Sequence, residues 1–198
     1  NNDTYSTNED TQLDVLLPGI LGNDLDVEND ALTITLIADV TNGTLTLNQD
    51  GSFTYIPVLN FNGTDTFTYL INDGEFDSNV ATVTLNVVAV NDGPIANPLA
   101  FTVANAGTNT GNLTATDIDV PADTLTFSLI TAPVNGTVII LPNGEYSYTH
   151  NGSATLSDSF EFSVTDGDLS STAIVTITVL AINLSPVAIG QSFSVVTS

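Results

Sequence analysis

The sequence contains no lysine and no arginine, and its 23 acidic side chains give it a formal charge of −23 at neutral pH. Without cationic side chains it cannot neutralise phosphates, which excludes nucleic acid and anionic membrane surfaces as partners. Lysine–asparagine isopeptide bonds are excluded as well. Repulsion among the carboxylates opposes a compact fold unless cations intervene, either diffusely from salt or as divalent ions at sites.

Cysteine is also absent, which excludes disulfides and thiolate metal sites. No apolar run approaches the roughly 18 residues of a membrane span, so we expect no membrane insertion. No signal peptide precedes the first strands, so we expect an interior segment of a longer protein. The one histidine, His150, lacks the partners of a nucleophilic triad. Paired carboxylates could hydrolyse glycosides, but here they recur in every repeat, so we expect no enzyme.

The chain repeats itself with a period of 93 residues. Asp24-Leu-Asp26 recurs as Asp117-Ile-Asp119, and Asp73-Gly74 recurs as Asp166-Gly167. A fixed period indicates one domain copied in tandem. The predicted organisation is a first repeat at residues 1–92, a second at residues 93–184, and the linker and first strand of a truncated third at residues 185–198.

Short alternating segments such as Leu32–Leu36 and Ala81–Val87 predict half-buried strands. Asn48-Gln-Asp-Gly51 predicts a hairpin with an Asp-Gly turn. About seven such strands in roughly 93 residues are typical of an all-β fold, an immunoglobulin-like sandwich. Alternation places Phe53 and Tyr55 on one face of a strand, which favours packing in the core over an exposed sugar-binding platform.

Carboxylates occupy alternate positions of one loop in the first repeat. They are Asp24, Asp26, Glu28 and Asp30. Calcium prefers six to eight hard oxygen ligands, which such a loop supplies. The loop is not an EF-hand, because Asn29 and Leu36 replace the glycine and the glutamate of that motif. A solvated acidic loop is the alternative. Recurrence of the pattern at Asp117, Asp119 and Asp123 favours calcium.

Further candidate ligands lie at strand ends and in the linker. Asp73 and Asp166 each precede a glycine, and Asn91 and Asp92 lie between the repeats. Each of the four could be a turn residue only, so both interpretations stay open.

These motifs carry a family resemblance. The motifs that carry it are Glu9-Asp-Thr11, Asn23-Asp-Leu-Asp26, Asn42-Gly-Thr44, Asp50–Tyr55, Asn60–Tyr69, Asp73-Gly74 and Val90-Asn-Asp-Gly-Pro94. Together they resemble the bacterial cadherin-like and immunoglobulin-like repeats of large secreted adhesins, as in RTX-type extender regions. The resemblance implies tandem Greek-key β-sandwiches of about seven strands, an extracellular or cell-surface location in bacteria, and calcium held where consecutive repeats join.

Carried over residue by residue, the resemblance implies two groups of ligands. The junction between the repeats would use Glu9, Asp10, Asn91, Asp92, Asp117, Asp119 and Asp166. An upstream junction would use Asp24, Asp26 and Asp73, while Glu28 and Asp30 could hold an ion locally. The second repeat departs from the pattern, with Asn105-Ala-Gly107 in place of Glu9-Asp-Thr11 and Leu184 in place of Asp92. We therefore expect the following junction to bind calcium weakly or not at all.

The function expected from the sequence is that of a calcium-rigidified spacer in an adhesin, with calcium and the adjacent repeats as partners. Two alternatives stay open. One is a carbohydrate-binding accessory module of a polysaccharide-degrading protein, and the other is a homotypic module that binds another adhesin.

Overall fold

The structure, a computed structural model, describes residues 1–28, 30–119 and 124–181. The predicted third-repeat strand, Leu184 and Asp123 therefore lie outside the described residues. The chain divides into two compact units, Asn1–Asn91 and Asp92–Ser198.

Unit 1 contains seven strands and a short 3₁₀ helix. The strands are β1 (Asp3–Asn8), β2 (Leu13–Val15), β3 (Thr33–Ala38), β4 (Gly43–Leu47), β5 (Phe53–Pro57), β6 (Gly63–Asn72) and β7 (Ala81–Val88), and the helix spans Gly19–Asn23. They form a four-stranded sheet in the order β1-β7-β6-β3 and a three-stranded sheet in the order β2-β5-β4. Because β1 pairs with β7 in parallel and the chain crosses repeatedly between the sheets, unit 1 is a Greek-key sandwich.

The described part of unit 2 repeats this plan with nine strands. They are β8 (Ile95–Ala96), β9 (Leu99–Ala104), β10 (Thr108–Asn112), β11 (Ala115–Thr116), β12 (Thr126–Thr131), β13 (Gly136–Ile140), β14 (Glu145–His150), β15 (Ser157–Thr165) and β16 (Ser170–Leu180). The larger sheet runs β12-β15-β16-β9 and the smaller one β10-β14-β13, while β11 and β8 form a separate pair. The two extra strands have only two residues each, so the sandwich is the same as in unit 1.

Alternating side chains from both sheets form one hydrophobic core in each unit. In unit 1 the aromatic residues of the core, Phe53, Tyr55, Phe67 and Tyr69, are at most 1% exposed. The alternation of the sequence predicted this burial. Phe53 and Phe67 belong to opposite sheets, and their rings meet edge to face at 5.5 Å. In the described part of the chain, no helix is long and apolar enough to cross a membrane.

The turn between β4 and β5 is an Asp-Gly hairpin, as the sequence predicts. Gly51 has a φ of 84°, and its N–H donates to the Asn48 carbonyl at 3.1 Å. Its own carbonyl accepts the N–H of Ile20 at 3.0 Å, which holds the 3₁₀ helix against the hairpin. The helix ends at Asn23, so this contact fixes the start of the acidic loop that begins at Asp24.

Candidate metal-binding carboxylates

Asp24 is the most buried carboxylate of the unit 1 acidic loop, with a side chain only 5% exposed. It accepts a 2.8 Å hydrogen bond from the Tyr69 hydroxyl and an ion pair from the amino terminus of Asn1. Burial, followed by the hydrogen bond to Asp24, raises the pKa of Tyr69, which keeps this hydroxyl neutral.

Asp3 belongs to the same group, although sequence reasoning missed it. Its carboxylate lies 3.3 Å from the Tyr69 hydroxyl, and burial raises its pKa. No motif marks this residue, because its counterpart in the strand register of unit 2 is Leu99. Only the inward alternation of β1 could have drawn attention to it.

Asp26 and Asp73 line one cleft of about 140 Å³, and Asp24 lines a neighbouring cleft of about 180 Å³. The two clefts share Leu25, Ile71 and Ser78. The fold therefore brings three predicted ligands to one end of unit 1. Asp26 accepts the N–H of Asp30 at 2.6 Å, whereas Glu28 and Asp30 are exposed on the rim of the loop.

Asp73 and Asp166 have the same local geometry in the two units. One oxygen of Asp73 accepts the N–H groups of Glu75 and Phe76 at 2.8 and 2.7 Å. One oxygen of Asp166 accepts those of Asp168 and Leu169, both at 2.7 Å. The hydrogen bonds from Phe76 and Glu75 hold the pKa of Asp73 below its usual range. Each residue is thus part of its turn, and the turn interpretation and the ligand interpretation are compatible.

At the other end of β1, Glu9 is buried with 4% exposure. Its Oε1 accepts the N–H of Val90 at 2.6 Å, and its Oε2 lies 3.5 Å from Nδ2 of Asn62. The predicted ligand therefore binds the backbone of the segment that leads out of unit 1. Asp10 has a φ of 55° and accepts the N–H of Asn60 at 2.8 Å, so it braces a loop of the same unit.

In unit 2, three predicted ligands form a chain of contacts. Asp119 Oδ2 accepts the N–H of Asp92 at 2.8 Å, and Asp117 Oδ1 accepts the N–H of Asp119 at 3.1 Å. Oδ2 of Asp117 is buried and has no hydrogen-bond partner in the described part of the chain. A buried carboxylate oxygen without a donor is costly, and a hard cation satisfies it. The oxygen atoms available here belong to carboxylates, which are ligands of the kind that calcium prefers.

The described residues 1–28, 30–119 and 124–181 nevertheless contain no group of three acidic or histidine side chains close enough to hold a metal. Asn91 is exposed at the end of unit 1. The carboxylates are thus gathered at particular ends of each unit without a complete coordination shell.

The two positions of unit 2 that correspond to Glu9 and Asp10 carry no acid. Asn105 takes the place of Glu9 and donates from Nδ2 to the Ser153 carbonyl at 2.6 Å. Ala106 has a φ of 56°, matching Asp10, which supports this alignment of the two units. Buried His150 accepts the N–H of Ala106 at Nδ1, at 3.3 Å. Asn105 and Ala106 therefore replace the carboxylates of Glu9 and Asp10.

Two further carboxylates, Asp65 and Asp158, are buried with 3% and 8% exposure. Asp65 accepts backbone N–H groups of Thr41, Asn42 and Thr66 and the hydroxyl of Tyr55. Asp158 accepts the corresponding groups of Val134, Asn135, Ser159 and Tyr148. Because every bond reaches a donor of the protein itself, these residues brace the fold and are unsuited to metal.

Comparisons with known proteins agree with this architecture. The family model for the bacterial cadherin-like domain matches the chain twice, over residues 1–89 and 91–181. Extracellular matrix protein 3 of Lytechinus variegatus is 31% identical over 140 residues, covering 60% of this chain and 4% of that protein. The chain thus spans a small fraction of the curated relative it matches.

Among solved structures, repeats EC1-2 of human protocadherin-24 share 16% identity, cover 90% of this chain and 95% of that chain, and give a TM-score of 0.54. An endo-fucoidan hydrolase of glycoside hydrolase family 107 shares 22% identity, covering 92% of this chain and 28% of that chain. Its TM-score of 0.38 is too low to indicate a shared function. The first likeness and the family match confirm the predicted tandem cadherin-like sandwiches.

Proposed function

The chain belongs to the family of bacterial cadherin-like domains, and we propose that it is a calcium-rigidified spacer of a secreted or cell-surface bacterial adhesin. In this proposal it has no catalytic role. Its partners are calcium ions and the adjacent repeats of the same protein. The two repeats and the linker supply the ligands, and a third repeat begins after residue 184.

The observation that carries the proposal is the buried Oδ2 of Asp117, which has no donor in the described part of unit 2. Asp119, two residues away, shares a hydrogen bond with Asp117 and another with the backbone of Asp92. With no lysine or arginine in the sequence, a cation from solution is the natural counter-charge. Asp117 and Asp119 are the proposed central ligands, and Asp92 and Asp166 are proposed as further ligands from the same unit.

Stiffening is proposed because the ligands also hold the connecting segment. Glu9 binds the backbone of Val90, and Asp119 binds the backbone of Asp92. An ion bound by these carboxylates stabilises one conformation of the segment, the one in which every carboxylate can contact the ion. The neutral Asn105 at the end of unit 2 supports the proposal of a weaker following junction, near residue 185.

Calcium binding is tested by melting the full chain with and without calcium. For a dissociation constant of about 10⁻³ M, as in extracellular modules, about 10 mM calcium stabilises the folded state by about 1.4 kcal/mol. That corresponds to a rise in Tm of about 6–11 °C. Asp117→Asn should lose most of this rise. Glu161→Gln is the matched control, because Glu161 lies on the strand face of unit 2, where the Thr131 hydroxyl donates to it at 3.1 Å. An equal rise in both variants would contradict the assignment.

A second candidate function, carbohydrate binding, is favoured by one observation. An open cleft of about 430 Å³ lies on the outer face of the smaller sheet of unit 2. The residues that line it are Thr110, Gly111, Asn112, Ile139, Leu141, Glu145, Tyr146 and Ser147. The burial of the core aromatic residues weighs against a stacking platform. Retention on a neutral polysaccharide would support this candidate, and calcium-dependent dimers in the ultracentrifuge would support homotypic adhesion.

A further inference from the structure

Five asparagines in the chain precede a glycine. They are Asn42, Asn62, Asn135, Asn143 and Asn151. In such a pair the glycine nitrogen can attack the side-chain carbonyl carbon, forming a succinimide ring and expelling ammonia. Water then opens the ring to aspartate or isoaspartate, so an amide is replaced by a carboxylate. The reaction requires a mobile backbone at the glycine and a side chain that is free to turn.

Three of the pairs are locked by crowding at the glycine. A Cβ placed on Gly43 would lie 2.4 Å from the Tyr55 ring, and one on Gly136 would lie 2.6 Å from the Thr149 carbonyl oxygen. For Gly144 the distance to the Leu113 carbonyl oxygen is 2.9 Å. Backbone packed this closely cannot rotate into the geometry of attack without disturbing its neighbours.

The pair Asn151–Gly152 has space, since the nearest atom to a Cβ on Gly152 is 3.7 Å away. Its reacting groups are nevertheless engaged. The N–H of Gly152 donates to Nδ1 of His150 at 3.2 Å, and Oδ1 of Asn151 accepts the N–H of Ser153 at 2.9 Å. Both bonds must break before the ring can close, which raises the barrier.

Asn62–Gly63 lacks the crowding of the first three pairs, and its asparagine side chain is held only weakly. Asn62 is exposed, and a Cβ on Gly63 would find nothing closer than the Phe61 ring at 3.8 Å. In the described residues, the Asn62 side chain makes one hydrogen bond, a long one of 3.5 Å from Nδ2 to Oε2 of Glu9. Gly63 is the first residue of β6, at the end of its pairing with β7. We propose that Asn62 is a site of spontaneous deamidation, the fastest in this chain.

The conversion has a structural consequence, because Nδ2 of Asn62 faces buried Glu9. A carboxylate at position 62 would replace a donor with a like charge beside a side chain that is only 4% exposed. No lysine or arginine is present to compensate. Deamidation therefore weakens the end of unit 1 where Glu9 holds the backbone of Val90. This consequence does not depend on calcium binding.

The test is incubation of the full chain at mildly alkaline pH, followed by digestion with proteases specific for acidic residues and mass spectrometry. Asn62 should convert at least about tenfold faster than each of the other four asparagines, a difference of about 1.4 kcal/mol in barrier. Asn62→Gln should abolish the fast phase, because a glutamine closes the larger ring slowly. Equal rates at all sites, or faster conversion at Asn151, would overturn the assignment.

The structural consequence has its own test. Asn62→Asp should lower the Tm of unit 1 by at least about 4 °C in the presence of a chelator. Asn86→Asp is the matched control, since it adds the same charge to the same unit beside the hydroxyl of Thr64. Equal shifts in the two variants would show that Glu9 does not sense position 62.

Discussion

Replacing Asp65 by asparagine should destabilise unit 1 severely. Asp65 Oδ1 accepts the N–H groups of Thr41 and Thr66, at 3.1 and 2.9 Å. Its Oδ2 accepts the N–H of Asn42 and the hydroxyl of Tyr55, at 2.8 and 3.1 Å. An asparagine keeps one oxygen and presents an NH₂ group to two donors. Two bonds to a charged acceptor are lost at about 1.5–3 kcal/mol each, so we expect unit 1 to lose about 3–6 kcal/mol of stability.

The assay is differential scanning calorimetry of the whole chain, because each unit has its own core and the two need not melt together. Asp65→Asn should lower the transition of unit 1 by about 12 °C or more and leave that of unit 2 unchanged. Tyr55→Phe removes only one of the bonds to Asp65 and should cost about 1.5–3 kcal/mol. Asp39→Asn, an exposed change of equal charge, should cost less than about 0.5 kcal/mol.

The effect of Asp65→Asn should also depend on pH. Burial alone would raise the pKa of Asp65. The hydrogen bonds from Thr41, Asn42, Thr66 and Tyr55 together lower it by more than burial raises it, so the pKa of Asp65 lies below its ordinary value. A depressed folded-state pKa means that the stabilisation is complete above about pH 4 and is lost as the pH falls through the folded-state pKa. The difference in stability between wild type and Asp65→Asn should therefore shrink as the pH falls through the folded-state pKa of Asp65. A difference within about 0.5 kcal/mol at neutral pH would refute the reasoning.

Two further predictions concern single positions. Asp158→Asn should destabilise unit 2 alone by about 3–6 kcal/mol, because Asp158 also accepts three backbone N–H groups and a tyrosine hydroxyl; a shifted transition of unit 1 would contradict this. Gly19→Ala should cost unit 1 about 3 kcal/mol or more, since its Cβ would lie 1.8 Å from the Gly51 carbonyl oxygen at a φ of 54°. Gly22→Ala, in the same 3₁₀ helix with 3.4 Å to its nearest atom, is the calorimetric control and should be nearly neutral.

The sandwich could be predicted because strand periodicity determines which side chains meet. Phe67 and Tyr69 alternate with threonines in β6, and the structure buries both. The Asp-Gly turn at Gly51 was equally predictable, because the glycine is needed at a positive φ. The parallel pairing of β1 with β7 was not, since it joins residues about 80 positions apart and no local pattern encodes it.

The candidate ligands were predictable in kind and only partly in grouping. The motif spacing indicated Asp24, Asp26 and Asp73, and the clefts of unit 1 bring them to one end. Asp3 escaped notice because it joins this group through Tyr69, a contact across the fold. Asp65 is buried, and the inward alternation of β6 was the signal in the sequence for this burial.

Calcium titration of the full chain with small-angle X-ray scattering tests the central claim most directly, because it measures binding and stiffness together. The proposal predicts that calcium narrows the distribution of particle lengths with a midpoint of about 10⁻⁴–10⁻³ M. Asp117→Asn should abolish this change and Glu161→Gln should retain it. A scattering profile and a Tm that are both unchanged between calcium and chelator would contradict the account.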